Sequence, residues 1–107
     1  MALLSPQQVQ ITGTAATYAA AAVAGDSVRP DDRTFLHVKN ASAGAVTVTV
    51  VVPGEQFGQP LADVPVSVPA GGERLIGPLV RSLAGSSDVV DITYSAVTSV
   101  TVAAIRV

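Results

Sequence analysis

The sequence predicts an all-β single domain: a β-sandwich or small barrel, jelly-roll or immunoglobulin-like, of about seven or eight short strands, with an extended N-terminal arm. Three observations carry this. β-Branched residues dominate, with nineteen Val, nine Thr and four Ile, side chains that fit a pleated, half-buried surface. They come in short runs separated by Gly, Pro, Asn, Asp and Ser, the punctuation of turns. No window of about eleven residues or more carries a helical apolar stripe.

The elements follow in order. Residues 1–14 show no strand period and read as the arm, leaving residues 15–107 as the sandwich. Residues 17–24 pull both ways. Their alanine run favours helix, but Thr17, Tyr18 and Val23 favour strand and Gly25-Asp26 ends the segment early, so a strand is expected. Residues 34–39 form a strand with Leu36 and Val38 on one face and Phe35, His37 and Lys39 on the other. Residues 40–44 turn the chain.

Residues 46–52 then place Val46, Val48, Val50 and Val52 on one face, opposite Thr47 and Thr49. Pro53-Gly54 stops this ladder, because proline has no N–H to donate. Residues 54–63, "GEQFGQPLAD", read as a loop carrying Phe57 at its middle. Val64, Val66 and Val68 make a short strand ended by Pro69 and Gly71-Gly72, and residues 73–76 follow. Gly77, Pro78 and Gly85 break the chain again. Val90, Ile92 and Tyr94 alternate with Asp91, Thr93 and Ser95. After a turn at residues 97–99, the strand at residues 100–107 is apolar on both faces, which places it centrally or under a neighbour. Val66, Val90, Ile92, Val100 and Val102 are the expected core, with Tyr94 buried beside them.

A chain of 107 residues forms one domain with a small core. Charged residues are 13% of it, against about 25% in an average soluble domain. Either other subunits cover part of the surface, or it is a solvated Thr/Ser/Ala surface. The net charge is −2 and the six cations are scattered, with Lys39 the lone lysine. Without a basic stripe, neither nucleic acid nor an anionic membrane is expected as a partner. The absence of cysteine removes disulfides and thiolate metal sites. The first residues lack the basic start and apolar run of a signal peptide, so synthesis in the cytoplasm is expected. Asn40-Ala41-Ser42 matches a glycosylation sequon but reads as a turn.

Chemistry is sparse. His37 is the single histidine, and a mid-strand position beside Phe35 and Lys39 is the setting of a half-exposed strand residue, not of a catalytic base. Nucleophile-elbow, phosphate-loop and zinc-protease motifs are absent. Asp31-Asp32 and Asp88 with Asp91 read as turn residues, because no calcium loop surrounds them. No catalytic, cofactor or metal site is therefore expected. Two segments stand out for contact instead. Leu3 and Leu4, in the arm, have no evident strand partner. Phe57, mid-loop, either tucks under its own loop or anchors on a neighbouring subunit.

The stretches "RTFLHVKNASAGAVTVTVVVPG", "VSVPAGGERLIGP" and "VDITYSAVTSVTVAAIRV" resemble a family of short proteins from tailed phages of actinobacteria, which tend to lie among the head genes. The resemblance covers residues 32–107 and rests on structural motifs, not catalytic ones. It implies a non-enzymatic virion protein without cofactors, a capsid decoration or cement protein on the outer capsid surface. Its partners would be the major capsid protein and itself, as a homo-oligomer, expected to be a trimer. Two other readings are an adhesion or glycan-binding sandwich, and a head–tail or tail component.

Overall fold

The computed structural model describes residues 2–60, 62–84 and 88–107. Met1 of the expected arm, Leu61 of the expected loop and the expected break at Gly85 lie outside the described residues. Strands β1 (Ala2–Leu4), β2 (Gln7–Gln8), β3 (Ala19–Ala20) and β4 (Asp26–Val28) open the chain. Next come β5 (Thr34–Asn40), β6 (Val46–Val50), β7 (Glu55–Gln56) and β8 (Gln59–Pro60). The chain closes with β9 (Val64–Val68), β10 (Glu73–Ile76), β11 (Val90–Tyr94) and β12 (Val100–Arg106). A single 3-10 turn, Arg81–Leu83, is the helical element among the described residues.

Two mixed sheets pack face to face. The first runs β1-β4-β11-β6-β9; the second runs β10-β5-β12-β2, with β3 also paired to β12. Both sheets have free edges, so the all-β expectation is met by a sandwich and not by a closed barrel. Alternation explains the layering. β5 buries Thr34, Leu36, Val38 and Asn40 while Phe35, His37 and Lys39 face out, and β6 buries Val46, Val48 and Val50 between half-exposed Thr47 and Thr49. These join Val90, Ile92, Val100, Val102 and Leu79 in one core, each at most 2% exposed. Each such aliphatic side chain contributes roughly 1.5–3 kcal/mol.

The final strand lies centrally, as its two-sided apolarity predicts. β5 pairs along all seven residues of β12, and β2 and β3 take the other edge. Val66 differs from expectation. It is only half-buried, because β9 is the last strand of its sheet and is covered less than Val68 at its far end. Val52 lies beyond β6 and is half-buried as well.

The N-terminal third departs most. The expected strand over residues 17–24 is confined to Ala19–Ala20. At residues 22–25 the chain turns, Gly25 N–H donating to the Ala22 carbonyl, and crosses from one sheet to the other. A strand cannot continue through a change of layer. Just past that turn lies β4, absent from the sequence reading because Gly25-Asp26 read as the end of a segment. The arm is extended but not free. β1 pairs in parallel with β4, and β2 in parallel with β12, so the first residues edge both sheets.

Two buried polar residues anchor the core, Asn40 between the two sheets and Asp26 within the first. Asn40, 1% exposed, ends β5 and donates through Nδ2 to the carbonyls of Gly44 (2.9 Å) and of Val68 in the opposite sheet (3.1 Å). Its Oδ1 accepts from the Ser42 amide at 3.0 Å and from the Ser42 hydroxyl. The sequon asparagine is therefore a turn residue, as read, with its amide committed to the interior. Asp26, fully buried, accepts from the Tyr94 hydroxyl at 2.6 Å, while its Oδ1 has no partner among the described residues.

Candidate functional site

Residues paired across an antiparallel ladder share a face, so the registers define what each sheet shows outward. On the first sheet, Ser27 lies beside Asp91, Thr93 beside Thr49, and Thr47 beside Ser67. That face is hydroxylated. On the second sheet, His37 lies between Leu75 and Ala103, Phe35 beside Ile105, and Ile105 beside Gln7. That face is apolar and aromatic around Phe35, Leu75 and Ile105 and polar where Lys39 lies between Glu73 and Thr101. The two outer surfaces of one sandwich thus differ in kind.

The N-terminal segment covers part of the apolar face. The Gln7 side chain acts as a short ladder rung: its Nε2 donates to the Thr17 carbonyl and its Oε1 accepts from the Thr17 amide, both at 2.7 Å. This sets Tyr18 over β5. The Tyr18 hydroxyl lies 2.6 Å from His37 Nδ1, and the two rings meet edge to face at 5.4 Å. Glu73 Oε1 lies 3.5 Å from His37 Nε2. A proton on Nε2, facing the carboxylate, leaves Nδ1 free to accept from the Tyr18 hydroxyl; the other tautomer reverses that bond. Lys39 Nζ stands 4.2 Å from the centre of the Tyr18 ring, a cation–π contact. Ala103 beside His37 faces outward and is still only 2% exposed.

His37 is therefore not the isolated residue that the sequence suggests. Its side chain is 13% exposed and joins a hydroxyl, an imidazole and a carboxylate in one chain. Neither Tyr18 nor Glu73 could be assigned to it from sequence, since one precedes it by nineteen residues and the other stands on a different strand. The visible work of this chain is mechanical: it fastens the segment ahead of β3 to the sheet.

Beyond that cover, the apolar face is open. Phe35, Leu75, Gly77, Pro78 and Val107 line a pocket of about 420 Å3, with Asp32, Arg33 and Thr34 also on its wall. Leu75 is 66% and Val107 62% exposed. Gly77 is required here, because a Cβ at this position would stand 2.6 Å from Phe35 Cβ.

The three expected contact residues fall in different places. Leu4 packs against the core. Leu3 is 50% exposed and borders a second groove, of about 390 Å3, with Leu4, Ala19 and residues of β12. Phe57 does not tuck under its loop. It is 94% exposed at the turn of the β7–β8 hairpin, an element that the sequence reading left inside a loop. Phe57 and Gly58, with φ of 56° and 75°, form a two-residue connection in left-handed backbone. That matches the right-handed twist of a hairpin, and glycine suits it where phenylalanine does not.

The aspartates behave as turn and surface residues. Asp31 Oδ1 accepts from the Arg33 amide at 2.9 Å, and Asp88 pairs with Arg81 at 3.1 Å. No group of three or more potential metal ligands occurs among the described residues, and no helix among them is long and apolar enough to cross a membrane. Tyr94 titrates far above its ordinary range: burial penalises the phenolate, and the hydrogen bond to Asp26 and that residue's charge act the same way.

Compared with known families, curated proteins and solved structures, the chain finds no match.

Proposed function

We propose that this chain is a non-enzymatic structural protein of a tailed-phage virion, decorating the outer capsid surface and stabilising it by bridging neighbouring shell subunits. The observation that carries this is the contrast between the two outer faces. One is hydroxylated and suited to water; the other leaves Leu75 and Val107 more than 60% exposed beside Phe35. Exposed apolar surface of this kind marks a place where another protein binds. The low charge and the resemblance to head-gene products point the same way. Many weak contacts on one shell add through effective concentration, so no single contact has to be strong. The partners are the major capsid protein and other copies of the chain, a trimer suiting the three-fold positions of a shell. The apolar final strand no longer argues for a trimer, since β5, β2 and β3 cover its edges within one chain.

The experiment is occupancy on undecorated shells, read by sedimentation and particle imaging. Purified protein is expected to bind, and Leu3→Ala and Phe57→Ala proteins to bind less while staying folded. Failure of the wild-type protein to bind would overturn the decoration role.

One observation favours the glycan-binding alternative: an aromatic ring, an imidazole, a cation and a carboxylate meet at Tyr18, His37, Lys39 and Glu73. On the decoration reading, His37→Ala leaves occupancy unchanged. Glycan binding that is lost in the same variant would favour the alternative.

A further inference from the structure

We propose that the Phe57 hairpin of one copy seats in the pocket formed by Phe35, Leu75, Pro78 and Val107 of a second copy, a contact between two different patches of the same chain. This rests on the homo-oligomer reading above and specifies its contact. The chain carries both halves of the joint. The knob is a phenylalanine 94% exposed and held in left-handed backbone, a conformation that works against a bulky residue and presents the ring to solvent. The hole is an open apolar pocket of about 420 Å3, ample for one aromatic ring.

Position makes the contact intermolecular. A smaller cavity brings Val50 and Val64, which bracket the hairpin segment, against Gly77 and Pro78 of the larger pocket. Knob and hole therefore lie at the same end of the sandwich, the first rooted in one sheet and the second on the outer face of the other. With Phe57 94% exposed, its own pocket is not where it sits. A contact between two different patches repeats by rotation, and it ends as a ring when that rotation closes.

Area sets the strength. A buried phenylalanine supplies roughly 150–250 Å2, well short of the ~800 Å2 per partner in a standard interface. Free protein therefore associates weakly, and closure needs copies held close together, as on a shell.

The chain has no cysteine, so single introduced thiols test the joint. Gln59→Cys, an exposed hairpin position that leaves Phe57 in place, and Leu75→Cys proteins, each checked for fold by circular dichroism, are mixed in a glutathione redox buffer, with and without shells. The ratio of mixed to like-with-like disulfides is expected to exceed its statistical value by about tenfold in the presence of shells. Val107→Cys replaces Leu75→Cys as an independent reporter on the same pocket, also at an exposed position. A statistical mixture, or an excess of like-with-like disulfides, in both pairings overturns the inference. The two readings fail separately: shell binding with statistical disulfides removes the joint and keeps the decoration role, whereas specific disulfides without shell binding do the reverse.

Discussion

Asn40 illustrates how one polar side chain can do what a small aliphatic core cannot. It donates across the sandwich to Val68 and organises its own turn through Ser42. Asn40→Ala leaves buried carbonyls without donors, and the expected loss is about 2–3 kcal/mol in urea denaturation. Tyr94 gives a second residue-level outcome. Its hydroxyl stays protonated in the folded protein well above its ordinary value of 10.0, whereas in the unfolded chain it ionises near that value. The stability linked to Tyr94 is therefore fully present below pH 10.0 and is lost as the pH rises further. Alkaline denaturation of the wild type and a Tyr94→Phe protein checks this: the stability of the variant is expected to fall less steeply above that pH.

At the scale of elements, position in the sheet decides what a valine or isoleucine contributes. Ile92, 0% exposed in β11, has a paired strand on each side. Ile92→Ala is expected to cost about 2–5 kcal/mol. Val66, half-buried on the edge strand β9, is expected to lose clearly less when truncated, and a matched pair of urea curves ranks them. The N-terminal strands divide the same way. Leu4 packs on the core and Leu3 is 50% exposed, so Leu4→Ala lowers stability while Leu3→Ala changes it by less than about 0.5 kcal/mol. For that reason Leu3, not Leu4, is the clean probe of shell contact.

For the whole molecule, the contrast between faces and the scarcity of charge predict the character of binding. Apolar contacts are not screened by salt, whereas association steered by exposed charge weakens once the Debye length falls to about 3 Å at 1 M. Occupancy on shells is therefore expected to change little between low and high salt. A steep loss of occupancy with salt would mean that scattered ions such as Arg33 and Asp63 dominate the contact. The slab-like outline, 44 × 34 × 19 Å, gives each outer face a large share of the surface, so what a face displays largely determines what the protein can touch.

The β class and the longer strands β5, β6, β9, β10, β11 and β12 were legible in the sequence, because period-two alternation of Val, Leu and Ile with Thr, His and Asp is a local property of the chain; the β7–β8 hairpin and the partial exposure of Val66 were not. Val90, Ile92, Val100 and Val102 needed no partner to be identified as core. What the tertiary structure decided was everything that depends on which strand neighbours which. β1 and β2 owe their existence to β4 and β12, not to any pattern of their own. Asp26 became a strand residue because its backbone pairs with Ile92 and Ala2, both distant in sequence, and Tyr94 on the same neighbouring strand as Ile92 donates to its carboxylate. Tyr18, His37 and Glu73 meet because three separate segments cross one face, and Leu75 joins Phe35 and Val107 at a pocket for the same reason. Local pattern specifies which side of a strand is apolar. Pairing between strands far apart in the chain specifies which side chains become neighbours, and a single sequence carries no local signal for that.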